Sequence, residues 1–334
     1  MAEKDKKVQV DENELLNVVD LKKYFPIRQG VTQKTVGYVK AVDGVSFKIQ
    51  KGQTYGLVGE SGCGKTTIGR TILRLTPPTG GHAFYNGVDL FSLKKKDLRH
   101  LRPKLQMIFQ DPYSSLDPRM NVGEIIGEAV KEHSIVPMSE WREYVLKIML
   151  DCDLKKYQID RYPHEFSGGQ RQRICIARAM ALEPDLIVAD EPVSALDVSI
   201  QAQVINLMND LQKKRGLSYL FISHDLSVVE YISDFVGVMY LGSLVEMTNK
   251  KELFSHPLHP YTKALLSAVP VPNPDYHMNR VILEGDLPSP VNPPKGCKFH
   301  TRCSKCMKIC KEVVPEYRDL GGGHFCACHL YNDN

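Results

Sequence analysis

Several features that would classify this chain at once are missing from it. No stretch of its 334 residues approaches the roughly 18–20 consecutive apolar residues that cross a bilayer, so no segment reads as a membrane span. The N-terminus, MAEKDKKVQVDENE, is charged throughout and lacks the apolar core of a secretory signal. The chain is therefore expected to stay in the cytosol. Charge of one sign is scarce too: 43 basic against 39 acidic residues leave +4, which gives no reason to expect a nucleic-acid partner. There is no tandem repeat and no long heptad run, which excludes a solenoid and an extended coiled coil. Cysteine is thin over most of the length and then crowded, with six of nine between Cys297 and Cys328. In a reducing compartment such a cluster suggests a metal site before a disulfide framework.

What is present has the makeup of an ordinary globular protein, 43% hydrophobic and 25% charged, long enough for about two structural units. Residues 1–14 read as a solvated, charged tail. Residues 15–45 are β-branched and broken, as in interrupted strands. A short apolar run at 54–58 precedes a glycine-rich loop and a helix on which Ile68 and Ile72 share a face. Pro77–Pro78 and Gly80–Gly81 close that helix. Residues 111–165 are more polar and mostly helical, with breaks at Pro112, Pro118 and Pro137. Further apolar runs at 186–189 and 219–222 read as buried strands. Such strands alternating with helices predict an α/β protein whose parallel sheet is covered on both faces. Beyond residue 250 the character changes: residues 251–334 hold ten of the 20 prolines.

Gly59-Glu-Ser-Gly-Cys-Gly-Lys65-Thr66 fits the phosphate-loop pattern G-x-x-x-x-G-K-S/T at every fixed position. Glycines let successive N–H groups turn toward one anion, and the next helix points its positive end there. Lys65 can reach the β- and γ-phosphates, and the Thr66 hydroxyl can hold Mg²⁺. The loop residues Gly59, Glu60, Ser61, Gly62, Cys63, Gly64, Lys65, Thr66 and Thr67 are the candidate nucleotide contacts. Cys63 reads as a small filler without a catalytic role.

The run ending in Asp190 and Glu191 is an apolar strand closed by two carboxylates. Beside a phosphate loop, Asp190 would hold Mg²⁺ and Glu191 would polarise the attacking water. His224 also ends a strand, where open α/β sheets bind their ligands, although a lone histidine there is more often a satisfied structural group. Ser167-Gly-Gly-Gln170-Arg171 opens a helix with a capping-box pattern and offers a second anion-binding end. One ATP needs one phosphate loop, so this second end invites a nucleotide held by another chain.

These segments together resemble the ATPase subunits of ABC transporters: the phosphate loop, Gln110 in Ile-Phe-Gln-Asp-Pro, Phe166-Ser-Gly-Gly-Gln, Asp190-Glu191, Ser194-Ala-Leu-Asp197 and His224, all in the family's order. The resemblance implies a P-loop NTPase with a parallel core sheet, an antiparallel β-subdomain and a helical subdomain near residues 111–165. The nucleotide-binding domain would span 15–250, followed by a small cysteine-rich extension over 251–334. It implies that Gln110 senses the γ-phosphate and Mg²⁺, that Asp197 organises a dimer seam with Ser167, Gly168, Gly169 and Gln170, and that His224 contacts the γ-phosphate beside Glu191. In Leu21-Lys-Lys-Tyr-Phe25, Phe25 is favoured over Tyr24 as the ring against adenine.

Three further stretches narrow the resemblance to oligopeptide and dipeptide importers: Gln110-Asp-Pro-Tyr-Ser-Ser-Leu-Asp-Pro-Arg119, Glu191-Pro-Val-Ser-Ala-Leu-Asp-Val-Ser-Ile-Gln201 and His256-Pro-Leu-His-Pro-Tyr-Thr262. The implied assembly has two membrane-spanning permeases, two ATPases and an external peptide-binding protein. The second ATPase would be a sister subunit, or a copy of this chain. The implied location is peripheral, on the cytoplasmic face of the cell membrane, with no nucleic acid involved. Nickel or another small solute is the alternative cargo, and a soluble ABC factor on ribosomes or DNA the alternative class. The resembling importers also place a 4Fe–4S cluster on cysteines matching Cys297, Cys303, Cys310 and Cys328. Cys306 and Cys326 are extra, and zinc or free thiols remain the alternatives there.

Overall fold

The computed structural model describes residues 12–30, 33–269, 281 and 283–332. Most of the charged tail expected over 1–14 lies outside these described residues. The chain opens with two long antiparallel strands, β1 (Glu14–Gln29) and β2 (Lys34–Gln50), over the span where interrupted strands were expected. The interruptions are real, since the β1–β2 register shifts at several points. Next come β3 (Thr54–Val58), the glycine loop and α1 (Lys65–Ile72). β4 (Gly80–Tyr85) and β5 (Val88–Asp89) return beside β1, making an antiparallel sheet in the order β2-β1-β4-β5.

α2 (Lys95–Leu101) and β6 (Leu105–Ile108) lead into a helical stretch containing α3 (Val122–Glu132), α4 (Trp141–Asp151) and α5 (Gly168–Met180). Asn121 starts α3 with a reciprocal capping box to Glu124, a feature worth about 1 kcal/mol in similar helices. β7 (Leu186–Asp190), α6 (Val198–Arg215), β8 (Ser218–Ile222), α7 (Leu226–Ile232) and β9 (Phe235–Tyr240) follow. β9, β3, β8, β7 and β6 are neighbours in that order and run parallel. β10 (Ser243–Asn249) pairs antiparallel with β9, and α8 (Lys250–Ser255) and α9 (Pro260–Ser267) come next. Short strands β11 (Arg318–Asp319) and β12 (Phe325–Cys326) then extend the same sheet beyond β10.

The strands β3, β7 and β8 are buried at every position, as near-continuous apolar runs require when both sheet faces are covered. Strand alternation divides their side chains between two cores. From β7, Leu186 and Val188 join the core facing the antiparallel sheet, while Ile187 and Ala189 join the one under the helices. From β8, Leu220 and Ile222 go to the first and Tyr219 and Phe221 to the second.

The region after residue 250 is stitched into this frame. Besides the β10–β12 pairing, Tyr261 and Phe299 are fully buried in the helix-side core and meet Tyr240 ring to ring at 4.8 and 5.2 Å. Edge-to-face contacts of this kind add to the apolar burial itself.

Candidate active site

The candidate residues gather where four neighbouring strands end. The phosphate loop follows β3, His224 follows β8, Asp190 and Glu191 close and follow β7, and Gln110 follows β6. Parallel strands point their carboxyl ends the same way, so residues scattered over the sequence arrive at one edge of the sheet. There they line a cleft of about 370 Å³, bounded by Ala41, Ser61, Gly62, Gly64, Lys65, Thr66, Thr67, Gln110, Glu191 and His224.

The loop enters α1 through Gly64, which has φ 109° and whose absent Cβ would collide with the carbonyl oxygen of Ala41. A glycine is therefore required both by the left-handed backbone and by the close approach of β2. Lys65 is almost completely buried, and its Nζ donates to the carbonyls of Gly59 at 2.8 Å and Glu60 at 3.1 Å. The cation is thus held at the loop that would receive phosphate.

Thr66 Oγ1 donates to Asp190 Oδ1 at 2.7 Å. Asp190 is buried, and its Oδ2 has no hydrogen-bond partner among the described residues. Burial raises its pKa, partly opposed by the Thr66 hydroxyl. A buried carboxylate oxygen with unused lone pairs beside a threonine hydroxyl is a donor set that fits Mg²⁺.

Glu191 has φ 47°, and its N–H donates to Ile222 O on β8 at 2.9 Å, which fixes the turn leaving β7. Its Oε2 accepts from Gln110 Nε2 at 3.1 Å and meets His224 Nδ1 at 3.1 Å. Three residues from three different strand ends therefore meet on one carboxylate.

Other candidates stand apart from the cleft. Phe25 faces outward on β1 opposite Val39, two residues before Ala41, with Lys23 Nζ 4.7 Å from its ring centroid. The Tyr24 hydroxyl is instead bonded to Asp43, and Phe25 is the more exposed of the two rings. Ser167 caps α5, accepting the Gln170 N–H at 3.4 Å while Gln170 Oε1 accepts the Ser167 N–H at 3.1 Å. Ser167, Gly168 and Asp197 are exposed, and Gly169 has no room for a Cβ because Ile200 of α6 abuts it. None of these lines the cleft of its own chain.

The Glu60 side chain also leaves the cleft, for a partner that sequence spacing did not reveal. Arg302 Nη1 donates to its Oε2 at 2.8 Å, and its own N–H donates to Tyr261 Oη at 3.0 Å. Cys63 is buried, and burial raises its thiol pKa.

The comparisons with known proteins agree with this geometry. Residues 42–194 match the family described as ABC transporter, and residues 245–310 match the oligopeptide/dipeptide transporter C-terminal region. The chain is 57% identical over 321 residues to the oligopeptide transport ATP-binding protein AppF of Bacillus subtilis, covering 95% of this chain and 98% of AppF. It is 51% identical to the dipeptide transport ATP-binding protein DppF of Escherichia coli, with 92% of each chain covered. The chain belongs to the ABC transporter ATP-binding subunits of the oligopeptide/dipeptide family. Among solved structures, cbiO1 from Clostridium perfringens superposes with a TM-score of 0.63 at 25% identity, over 73% of this chain and 92% of that one. The ATP-binding cassette MJ0796, in a dimeric post-hydrolysis state with ADP and Pi, gives a TM-score of 0.63 at 24% identity, over 71% and 99%. The latter likeness concerns the fold. As a member of this family the chain binds ATP and is an ATPase.

None of the nine cysteines of this ABC ATPase is joined in a disulfide. Cys297 N donates to Cys310 O at 2.8 Å, which closes the loop carrying Cys303. Burial pushes the Cys297 thiol up to about 11, with Cys310, Cys328 and Cys303 close enough to add to the effect. Cys328 likewise feels Cys303 and Cys310 after its own burial. Cys306 neighbours Cys303, whereas Cys326 is buried next to Glu246. Among the described residues, no group of three or more His, Cys, Asp or Glu side chains forms a site for a metal ion.

Proposed function

We propose that this chain powers the import of oligopeptides or dipeptides by binding and hydrolysing ATP on the cytoplasmic face of the cell membrane. The observation that carries the hydrolytic part is the shared grip of Gln110 and His224 on Oε2 of Glu191, next to the phosphate loop. A carboxylate oriented from two sides is suited to polarise one water held in line with the γ-phosphate. The cargo reading rests on the match of residues 245–310 and on relatives named for peptide transport.

In this reading Lys65 turns from the Gly59 and Glu60 carbonyls to the β- and γ-phosphates as ATP enters. Thr66, Asp190 and Gln110 would hold Mg²⁺, which would neutralise charge on those phosphates. Glu191 takes the proton of the attacking water, and His224 keeps Glu191 aligned and contacts the γ-phosphate. Phe25 stacks on adenine. Ser167, Gly168, Gly169, Gln170 and Asp197 serve the nucleotide of a second ATPase subunit, which accounts for the exposure of Ser167, Gly168 and Asp197 and for the absence of all five from the cleft lining. ATP then draws the two subunits together and hydrolysis lets them part. Two permeases and an external peptide-binding protein complete the assembly, with a sister ATPase as the second subunit. The nucleotide-binding domain is residues 15–250 and the extension 251–334.

The extension is read as the seat of a 4Fe–4S cluster on Cys297, Cys303, Cys310 and Cys328. Mutual proximity of these four thiols supports that reading, and four thiolates are the donor set such a cluster takes. Zinc on the same thiols is the alternative occupant. Its role would be to pin a proline-rich segment. Uptake of labelled peptides and of nickel, measured with the assembled importer in vesicles, tests the cargo. Nickel uptake without peptide uptake would overturn it.

A further inference from the structure

Glu60 is the second residue of the phosphate loop, yet its contacts lead to the C-terminal extension. Its carboxylate accepts from Arg302 at 2.8 Å, and the Arg302 side chain is only 9% exposed. Its N–H donates to the hydroxyl of Tyr261, which is fully buried. Its carbonyl accepts from Lys65 at 3.1 Å. One loop residue is thus held from outside by two residues of the extension and from inside by the phosphate-binding lysine.

The two outer contacts come from separate parts of the extension. Tyr261 is in the first turn of α9, and Arg302 follows Phe299 in a short 3₁₀ turn. Phe299 meets both Tyr261 and Tyr240, with ring centroids 5.3 and 5.2 Å apart, so the two anchors share one aromatic wedge. A third tie lies close by: Lys298 Nζ donates to Asp43 Oδ2 at 2.9 Å and to Ser243 Oγ at 2.7 Å. The extension is therefore built against the base of the phosphate loop.

The electrostatic consequence is direct. Glu60 puts a negative charge in a loop whose task is to gather anionic phosphates. Arg302 compensates that charge within a part-buried contact, where removing one partner leaves the other uncompensated. Tyr261 fixes the backbone of the same residue. We propose that Arg302 and Tyr261 are positioning residues that hold the phosphate loop in its nucleotide-accepting form through Glu60, so that the C-terminal extension sets the ATP affinity of the cassette. The inference rests on the reading of this loop as the ATP site.

The test is equilibrium binding of ATP and ADP to the full chain, together with KM and kcat of the assembled complex. Arg302→Met should raise the ATP dissociation constant and KM about tenfold, the scale of a lost charge-assisted hydrogen bond, with kcat at saturating ATP within about twofold. Arg302→Lys should recover most of the affinity. In a Glu60→Gln background, Arg302→Met should have little further effect, because the charge it leaves exposed is gone. Tyr261→Phe should weaken binding about threefold and serves if Arg302→Met does not fold. Unchanged affinity in folded Tyr261→Phe and Arg302→Met would overturn the proposal, as would an equal loss with and without Glu60→Gln. Failure of the wild-type chain to bind ATP would instead overturn the functional reading beneath it.

Discussion

The hydroxyl of Thr66 donates to Oδ1 of Asp190 across 2.7 Å, joining the start of α1 to the end of β7. Two motifs 124 residues apart thereby make one polar pocket, with Asp190 Oδ2 left for a cation. Asp190→Asn keeps the shape and the acceptor for Thr66 but removes the charge. We predict that ATP affinity then loses most of its dependence on Mg²⁺, and that turnover drops by at least about 100-fold, the scale of a lost metal-organising group. Titrating ATP binding with and without chelator checks it; an undiminished Mg²⁺ effect would contradict it.

His224 tests whether the alignment of Glu191 matters. Replacing it by alanine removes one of two contacts on Oε2 and leaves the phosphate loop untouched. Turnover should fall by about 10- to 100-fold, within the range of acid–base assistance, while the dissociation constant of ATP changes by less than about threefold. Loss of binding in step with turnover would show that the contact of His224 with the γ-phosphate, and not its alignment of Glu191, dominates.

The signature can be tested through packing. A side chain at Gly169 would run into Ile200, forcing α5 and α6 apart at their first turns. Gly169→Val should leave ATP binding to the isolated chain intact while abolishing turnover of the assembled importer. Fluorescent-nucleotide binding and complex ATPase assays separate the two effects. Normal turnover would show that this helix end serves no nucleotide.

Cys306 and Cys297 separate the cluster ligands. Cys297→Ser should cost most of the bound iron and the visible absorption of anaerobically purified protein, whereas Cys306→Ser should keep both. Colourless protein carrying stoichiometric zinc would refute the cluster.

The buried His259 makes stability depend on pH. Its pKa is pushed down to about 3 by burial, from about 6.5 in an unfolded chain, and its Nδ1 accepts the Tyr261 N–H at 3.1 Å. The folded chain keeps the ring neutral, so unfolding takes up a proton between these values. The contribution is complete above about pH 6.5 and is lost as pH falls toward about 3, at up to roughly 1.4 kcal/mol per pH unit. Denaturant unfolding of His259→Asn, which keeps a cap acceptor, should have a shallower slope between about pH 6 and 4. Equal slopes would contradict the assignment.

Much of the site was legible in the sequence because each motif is local and sits at a strand end. The runs at 54–58, 186–189 and 219–222 are apolar throughout because both faces of their sheet are covered, and all three are strands. The capping box at Ser167 and Gln170 likewise needs only neighbours in sequence. What the sequence hid depends on long-range placement. The two-residue strand β12 has no periodicity to detect, yet it docks the extension onto β10. Ala41 reaches the cleft only because β2 passes Gly64 closely. Glu60 reads as a nucleotide contact by its position in the loop, while its side chain answers to an arginine 242 residues away.

The most direct test of the account is paired ATP turnover and peptide uptake by the reconstituted importer with Glu191 or with Glu191→Gln in this chain. The substitution keeps the size and one acceptor but cannot take a proton from water. We predict that ATP still binds, that ATP hydrolysis at this site falls by at least about 100-fold, and that peptide uptake is lost with it. Peptide uptake and hydrolysis at this site that continue at the wild-type rate would contradict the account.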